Sequence, residues 1–223
     1  MMTKFRKTPT FYYTQTNPIV TNPCRAEGVM NPCRSEVVMN PCRSEVVMNP
    51  CRAAGVLFYT FKKGKLKLLL QSSDKGWVDL GGKTENGDAD IITTAAREAS
   101  EESNCALITP APLTSRNDVV PLIPACTQHI KRKLQQSKCK KIYIKQSKYL
   151  LFLVHLPSFE ARHFTQSKLL DRELFYEDDM YKRTIGWKSI NTFKELAATN
   201  ALHPRLRHAG VYDEIEALKR SAQ

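Results

Sequence analysis

The sequence predicts an α/β fold that follows a repetitive N-terminal extension. Residues 55–61 and 65–71 are rich in β-branched, aromatic and leucine side chains and flank a short turn, which is typical of a β-hairpin. Residues 90–104 begin with an aspartate suited to cap a helix and continue with apolar residues at helical spacing. A nine-residue unit recurs from residue 22, and its fourth copy runs into the first predicted strand.

Length and composition are those of one domain of ordinary size with extensions. The chain has 223 residues, of which 42% are hydrophobic and 25% charged. No apolar run is long enough to cross a bilayer, and the N-terminus lacks the apolar core of a secretory signal. We therefore expect a cytoplasmic protein without a membrane partner, and its seven cysteines, none in a C-x-x-C pair, are expected to be reduced. The formal net charge of +12 favours a polyanionic partner or substrate.

The N-terminal region divides into an extension, residues 1–21, and a repeat region, residues 22–52, with the pattern N-P-C-R-x-x-x-V-x. Each Asn-Pro pair favours extended or disordered chain. Two hypotheses stand for the repeats. They either form a binding array for phosphates, with evenly spaced arginines, or lengthen the entry to the domain without a function of their own. We favour the second, because compositional regularity alone is weak evidence. The arginines of the four copies are Arg25, Arg34, Arg43 and Arg52.

The segment after the hairpin leads from Trp77 through an apolar run to Gly81, Gly82 and Lys83. These glycines are predicted to form a turn before a helix. Asp90 can cap that helix, because its carboxylate accepts hydrogen bonds from free backbone amides. The apolar residues that follow it at i, i+4 and i+7 form one inward-facing stripe, made of Ile92, Ala96 and Ala99.

Three glutamates lie on a neighbouring face of the predicted helix. Glu98, Glu101 and Glu102 are spaced i, i+3 and i+4, so their carboxylates are close together. They also lie near the negative end of the helix dipole, where anions are disfavoured. Only Arg97 is close enough in sequence to offset them. A hard divalent cation such as magnesium binds carboxylate oxygens and supplies the missing positive charge.

Residues 82–104, named the box, resemble the signature of the Nudix hydrolases, G-x5-E-x7-R-E-U-x-E-E-x-G-U, in which U is a bulky apolar residue. Gly82 matches the opening glycine, and R-E-A-S-E-E at residues 97–102 matches the R-E-U-x-E-E core. Asp88 replaces the first glutamate, the loop before Arg97 has one extra residue, and Asn104 replaces the last glycine. Asparagine is the next best residue for a left-handed helix cap. The carboxylates of the core are all retained.

The resemblance implies a Nudix-type α/β/α sandwich with a central mixed sheet over residues 53–223. It implies a divalent-metal-dependent hydrolase, with Mg²⁺ or Mn²⁺, that cleaves a diphosphate bond in a nucleoside diphosphate linked to another moiety. The three glutamates and a backbone carbonyl at Gly82 or Gly81 then hold the metal, and Arg97 orients the helix through an ion pair, for which Asp88 is the candidate partner. Lys83 is a candidate substrate contact. The general base stays open among Glu160, Glu177, Asp178, Asp179 and a box glutamate.

The chain after the helix predicts a short strand at residues 106–108 and an inserted loop at residues 109–124. A basic stretch follows, beside two strands at residues 141–145 and 149–156. It is either a solvated surface or a contact for an extended polyanion. As a contact, it fits a capped RNA, a diphosphoinositol polyphosphate or a dinucleoside polyphosphate better than a small neutral-sugar nucleotide. The candidate substrate contacts in this stretch are Lys131, Arg132 and Lys140.

The C-terminal part predicts a strand at residues 185–190, a capping box from Thr192 to Glu195 and a last amphipathic helix. Val211, Ile215 and Leu218 mark the apolar face of that helix.

Two other functions remain open from the sequence. A non-catalytic Nudix-fold module could bind RNA or a nucleotide without cleaving it, although clustered carboxylates near phosphate argue against a pure binder. Alternatively, the repeats are the functional part and the domain anchors them. The sequence leaves the oligomeric state open.

Overall fold

The computed structural model describes residues 51–109, 116–164 and 184–221, which form a mixed β-sheet between helices on both faces. The predicted α/β/α sandwich with a central mixed sheet is therefore confirmed. Residues 1–50, with the N-terminal extension and most of the repeat region, lie outside the described residues. The predicted domain boundaries stay a prediction.

The strands and helices alternate along the chain in the order ββββ-ααα-ββ-α-β-αα. The strands are β1 Ala53–Lys62, β2 Lys65–Ser73, β3 Gly76–Val78, β4 Leu80–Lys83, β5 Lys140–Ile144, β6 Tyr149–His155 and β7 Ile185–Ser189. The helices are α1 Ile91–Glu102, α2 Arg116–Val119, α3 Ile123–Leu134, α4 Ser158–Ala161, α5 Ile190–Ala198 and α6 Ala209–Arg220. Short 3₁₀ turns follow α2, β5 and α4 and precede α6.

Strand β1 is the centre of the sheet and is buried on both faces. Val56 and Phe58 point into the core beneath α1 and α3, whereas Leu57 and Tyr59 point into the core beneath α5 and α6. This alternation follows from the period of two along a strand, and an almost continuous apolar run is what a strand covered on both faces requires.

The strand pairing places the start of β1 beside the glycine strand. β1 pairs antiparallel with β2 through the predicted hairpin, and parallel with β6. Its first residues pair antiparallel with β4, where Gly55 lies opposite Gly81 and Ala54 opposite Gly82. β5 adds to β6, and β3 and β7 both pair with β2. The parallel β1–β6 pair among antiparallel neighbours makes the sheet mixed.

Three predicted elements beyond the box are wrong. Residues 106–108 form consecutive turns rather than a strand, because Asn104 and Cys105 both adopt left-handed backbone angles and the amide N–H groups of Ala106 and Ile108 bond to carbonyls three residues back. The predicted loop at residues 109–124 contains α2, a 3₁₀ turn and the start of α3; residues 110–115 lie outside the described residues. Of its prolines, Pro121 and Pro124 lie within the described residues, and both occupy first-turn positions, where a helix needs no N–H.

The predicted capping box at Thr192 is also wrong by one turn. Helix α5 begins at Ile190, directly after β7, and Ser189 is its N-cap: the Ser189 hydroxyl accepts a hydrogen bond from the Thr192 N–H at 3.0 Å. The predicted last helix is confirmed, with Val211 and Ile215 buried.

The four cysteines within the described residues are free thiols, as expected. None of the helices described is long and apolar enough to cross a membrane.

Candidate active site

Strand β4 and helix α1 meet at two glycines that the sequence analysis assigned to a turn. Gly81 and Gly82 lie in β4, and neither has a positive φ. They are needed for close approach instead. A Cβ at Gly82 would lie 2.5 Å from three atoms of the Glu98 carboxylate, and one at Gly81 would lie 2.1 Å from the Tyr149 hydroxyl oxygen. The prediction of a glycine turn is therefore wrong, and the reversal of the chain lies in residues 84–90.

Helix α1 begins and ends at the residues that the sequence predicts. Asp90 is the N-cap, and its carboxylate accepts hydrogen bonds from the N–H and the hydroxyl of Thr93, both at 2.6 Å. The predicted stripe of Ile92, Ala96 and Ala99 is buried against the sheet. Asn104 has φ 48°, the left-handed conformation expected of it.

Arg97 lies at the centre of an acidic cluster formed by Glu85, Asp88, Glu98 and Glu101. Its guanidinium forms two hydrogen bonds with the Asp88 carboxylate, at 3.0 and 3.1 Å, which is the predicted ion pair. It also lies 3.0 Å from a Glu98 oxygen, 3.1 Å from a Glu101 oxygen and 3.5 Å from a Glu85 oxygen. Four carboxylates thus surround one guanidinium, and the cluster keeps an excess of negative charge.

Asp88 fixes the loop before α1. Its carboxylate accepts hydrogen bonds from the Glu85 N–H and the Thr94 hydroxyl, each at 2.9 Å, as well as from Arg97. Burial alone would raise the pKa of Asp88, but these hydrogen bonds outweigh it and hold the pKa below its usual range. The shorter aspartate therefore forms the ion pair with Arg97 that the resemblance assigns to this helix.

Arg97 only partly neutralises the negative charge of the Glu98 and Glu101 carboxylates. Burial raises the pKa of Glu98 to about 7, against an attraction to Arg97 that lowers it. Burial also raises the pKa of Glu101, and the nearby carboxylate of Glu85 adds to the shift. A buried carboxylate with a raised pKa in a cluster of acids is a group whose charged form a bound cation would stabilise.

Glu102 is held by the backbone of β4. Its Oε2 accepts a hydrogen bond of 2.6 Å from the Gly81 N–H. Glu98 packs on Gly82, so both glutamates contact the glycine strand directly. The Lys83 carbonyl accepts a further bond, 3.0 Å long, from Arg97. The strand and the helix are thus joined by charge-assisted hydrogen bonds.

The donor set suits a hard divalent cation in its chemistry. Glu98, Glu101 and Glu102 offer oxygen ligands only, and the excess negative charge around Arg97 is what such an ion would neutralise. Among the described residues, however, no three His, Cys, Asp or Glu side chains converge as a preformed metal site. Instead, Arg97 forms ion pairs with one oxygen of Glu98 and one of Glu101, and the Gly81 N–H donates a hydrogen bond to one oxygen of Glu102.

Three of the basic candidates have their partners outside this cluster. Lys131 bonds to the Thr93 hydroxyl at 2.7 Å and lies 3.6 Å from Asp90, at the first turn of α1. Eight residues of helix separate Thr93 from Glu101, which is a distance of about 12 Å. Arg132 is bonded to the carbonyl of its own helix at Gln128, and Lys140 on β5 lies 4.0 Å from Glu214. The exposed Lys83 side chain follows the glycines directly.

One candidate general base is committed to another partner. Both carboxylate oxygens of Glu160 accept hydrogen bonds from the Lys133 ammonium, at 2.7 and 2.8 Å. Glu177, Asp178 and Asp179 lie outside the described residues.

The sequence analysis missed a buried network on the opposite side of the glycine strand. Asp79 is fully buried, and its carboxylate accepts hydrogen bonds of 2.6 Å from both the Tyr149 hydroxyl and the Arg205 guanidinium. An aspartate between Val78 and Leu80 was a usable signal, because a charged residue in a buried strand needs a partner. The sequence did not indicate that Arg205, 126 residues away, supplies it.

Comparisons with known proteins assign no family. No protein-family model matches the chain. A 60-residue stretch is 44% identical to an uncharacterized protein of Acanthamoeba polyphaga mimivirus; it covers 24% of this chain and 20% of that protein, so the chain spans about a fifth of the relative's length. The crystal structure of a C. elegans Ap4A hydrolase is similar with a TM-score of 0.35 and 16% identity, over 70% of this chain and 93% of that one. A binary complex of a C. elegans Ap4A hydrolase gives a TM-score of 0.36 and 20% identity, over 76% and 93%.

Proposed function

We propose that the protein is a divalent-metal-dependent hydrolase that cleaves a diphosphate bond in a nucleoside diphosphate linked to another moiety. The observation that carries this proposal is the position of Glu98, Glu101 and Glu102. All three lie on the last turns of α1, and two of them contact the glycine strand directly. This arrangement agrees with the resemblance of residues 82–104 to the Nudix signature.

Each residue of the site has a role that its contacts support. Glu98, Glu101 and Glu102 would hold Mg²⁺ or Mn²⁺, and the Gly82 carbonyl, which faces Ala54 of β1 in the strand pairing, is a further candidate ligand. Arg97 ties the last turns of α1 to Asp88 and so keeps the glutamates beside β4. The bound cation would neutralise phosphate oxygens and lower the pKa of a water molecule.

The glycines and the raised pKa values serve the same chemistry. Because Gly81 and Gly82 have no side chains, the carboxylates of Glu98 and Glu102 can lie directly against the backbone of β4. The raised pKa of Glu98 marks a carboxylate whose charged form a bound cation would stabilise. Glu160 is bonded to Lys133, so the general base stays open between a box glutamate and the acids at residues 177–179.

The basic side chains favour a large polyanionic substrate. Lys140 and Arg132 are exposed on β5 and α3, and the net charge of the whole chain is +12. A capped RNA, which carries a diphosphate bond and many further phosphates, fits both features. Cleavage of such a substrate should then fall steeply as the salt concentration rises.

A non-catalytic module that binds RNA or a nucleotide is the second candidate. The observation that favours it is Arg97, which occupies the carboxylates that a metal would otherwise bind. A module of this kind would bind its ligand equally well with and without a divalent cation.

A cleavage panel separates the two functions. The wild-type protein is incubated with capped RNA, nucleoside diphosphate sugars, dinucleoside polyphosphates and diphosphoinositols, with Mg²⁺ or with EDTA. We expect Mg²⁺-dependent cleavage of at least one class, reduced at least about 100-fold in Glu101→Gln and Glu102→Gln. Glu195→Gln, an exposed glutamate on α5, is the matched control and should keep full turnover. Binding of RNA without cleavage of any substrate would favour the module instead.

A further inference from the structure

We propose that Arg205 is a positioning residue of the site, which fixes the Gly81 peptide and, through it, the Glu102 carboxylate. This inference rests on the proposed function, because it assigns Glu102 to metal binding. Arg205 contacts Asp79, the Gly81 carbonyl and Tyr149, whose ring lies in the core beneath α5 and α6, on the face of the sheet opposite α1. It acts through the backbone of β4.

The turn that carries Arg205 is itself fixed to β3, which directly precedes the glycine strand. Leu202 forms an isolated parallel bridge with Trp77, and the His203 N–H bonds to the Trp77 carbonyl at 2.9 Å. Pro204 begins a 3₁₀ turn, and the His203 ring accepts a hydrogen bond from the Arg205 N–H at 3.2 Å. The backbone of Arg205 therefore has a fixed place beside residues 77–81.

The Arg205 side chain is mostly buried, and its guanidinium donates through Nε and Nη2. Its Nε donates to Asp79 Oδ1 at 2.6 Å, and its Nη2 reaches the Asp79 and Gly81 carbonyls, each at 3.4 Å. The guanidinium carbon lies 4.4 Å from the centre of the Tyr149 ring, and the Tyr149 hydroxyl donates to Asp79 Oδ2 at 2.6 Å. Both Asp79 oxygens are satisfied, so the buried ion pair leaves no unpaired charge.

Gly81 is bonded through both of its backbone groups to charged side chains. Its N–H donates to Glu102 from the α1 side, and its carbonyl accepts from Arg205. In an antiparallel pair, the N–H and C=O of one residue point to the same strand edge. Glu102 and Arg205 therefore take the place of a neighbouring strand at Gly81, and they attract each other electrostatically.

The glycines opposite each other in β1 and β4 make this arrangement possible. A Cβ at Gly55 would lie 1.9 Å from the Tyr149 hydroxyl oxygen and 2.5 Å from Asp79 Oδ2; a Cβ at Gly81 would also collide with that hydroxyl. Without side chains at these positions, the network of Asp79, Tyr149 and Arg205 approaches the strand that holds Glu102. If the ion pair only held the 3₁₀ turn against Asp79, the network would not need to lie so close to Gly55 and Gly81.

Arg205→Lys tests the inference, with Arg207→Lys as its matched control. Lysine keeps the charge but cannot bond to Asp79 and Gly81 at once. Arg207, on the same turn, bonds to Asn200 rather than to the network. In the metal-free protein, we expect the Gly81 amide hydrogen to exchange at least about 10-fold faster in Arg205→Lys, as measured by NMR, and to be unchanged in Arg207→Lys. The Mn²⁺ dissociation constant, measured by electron paramagnetic resonance, should rise about 10- to 100-fold.

Kinetics separate positioning from a structural role. In the positioning role, Arg205→Lys raises the half-saturating Mg²⁺ concentration about 10-fold and changes the substrate KM at saturating Mg²⁺ by less than about 2-fold. A variant that only unfolds at a lower temperature, with wild-type Gly81 exchange and Mn²⁺ affinity, overturns the inference. If Arg205→Lys does not fold, Tyr149→Phe removes one Asp79 bond and is read in the same way. If the wild type cleaves nothing, the proposed function fails, while Gly81 exchange still decides whether Arg205 holds the peptide.

Discussion

At the scale of single residues, the site holds more negative than positive charge, and the fold keeps these charges close together. Arg97 is shared among Asp88, Glu85 and two box glutamates, and Asp88 holds it most closely. The spacing of the glutamates predicts this cluster, because i, i+3 and i+4 positions share a helix face whatever the tertiary structure. The Arg205 network was not predictable in the same way, since it joins residues 126 positions apart and depends on how the sheet folds.

Glu98→Gln should stabilise the metal-free protein at high pH and not at low pH. The pKa of Glu98 is raised in the folded state to about 7, so its contribution to stability is complete below the unfolded pKa and is lost as the pH rises through 7. Glutamine stays neutral throughout. We expect the variant to gain about 2 kcal/mol over the wild type at pH 8 and much less at pH 4.5.

Urea unfolding in EDTA at the two pH values measures this difference. Glu195→Gln, at an exposed position, serves as the control and should show no such dependence on pH. An equal effect of Glu98→Gln at pH 4.5 and pH 8 would mean that Glu98 is not held in a desolvated, anion-rich position.

At the scale of elements, the site depends on the close contact between β4 and α1. The sequence predicted α1 with both caps, because Asp90, the apolar stripe and Asn104 are local signals. It misassigned the two glycines to a turn, since glycine serves both close contacts and chain reversals and the sequence does not separate the two. Helix α3 was missed because the prolines before and within its first turn read as loop signals.

Gly82→Ala should displace Glu98 from the strand. The new methyl group would lie 2.5 Å from the Glu98 carboxylate, so that side chain must move. We expect a loss of stability of about 1–3 kcal/mol and a fall in Mg²⁺-dependent turnover of at least about 10-fold. Thermal unfolding and the cleavage assay measure the two effects.

Gly87→Ala is the matched control for this substitution. A Cβ at Gly87 meets nothing within 4 Å, so the same chemical change one loop away should leave both properties unchanged. If Gly82→Ala behaves like Gly87→Ala, the packing of Glu98 on Gly82 has no part in the site.

At the scale of the whole molecule, elements on both faces of the sheet hold the site in place. Helices α1 and α3 cover the face with the acidic cluster, and α5 and α6 cover the face from which Arg205 holds the glycine strand. The resemblance predicted this sandwich and its mixed sheet. Hydrophobic patterning alone predicted strands and helices but not the parallel pairing of β1 with β6, which lie about ninety residues apart.

Deletion of residues 22–48 should leave turnover unchanged. The described contacts of the site come from residues 55–205, and β1 begins at Ala53. We expect kcat/KM on a small diphosphate substrate to stay within about 2-fold of the wild type. A larger loss, or a changed cellular location of the deletion variant, would support a function of the repeats.

Mn²⁺ binding by the full-length protein tests the central claim most directly, because it requires no knowledge of the substrate. Electron paramagnetic resonance gives the dissociation constant for the wild type, for Glu101→Gln and for Glu195→Gln. We predict saturable binding that weakens at least about 10-fold in Glu101→Gln and is unchanged in Glu195→Gln. Equal binding by all three proteins, or no binding by the wild type, would contradict the assignment of Glu98, Glu101 and Glu102 as metal ligands.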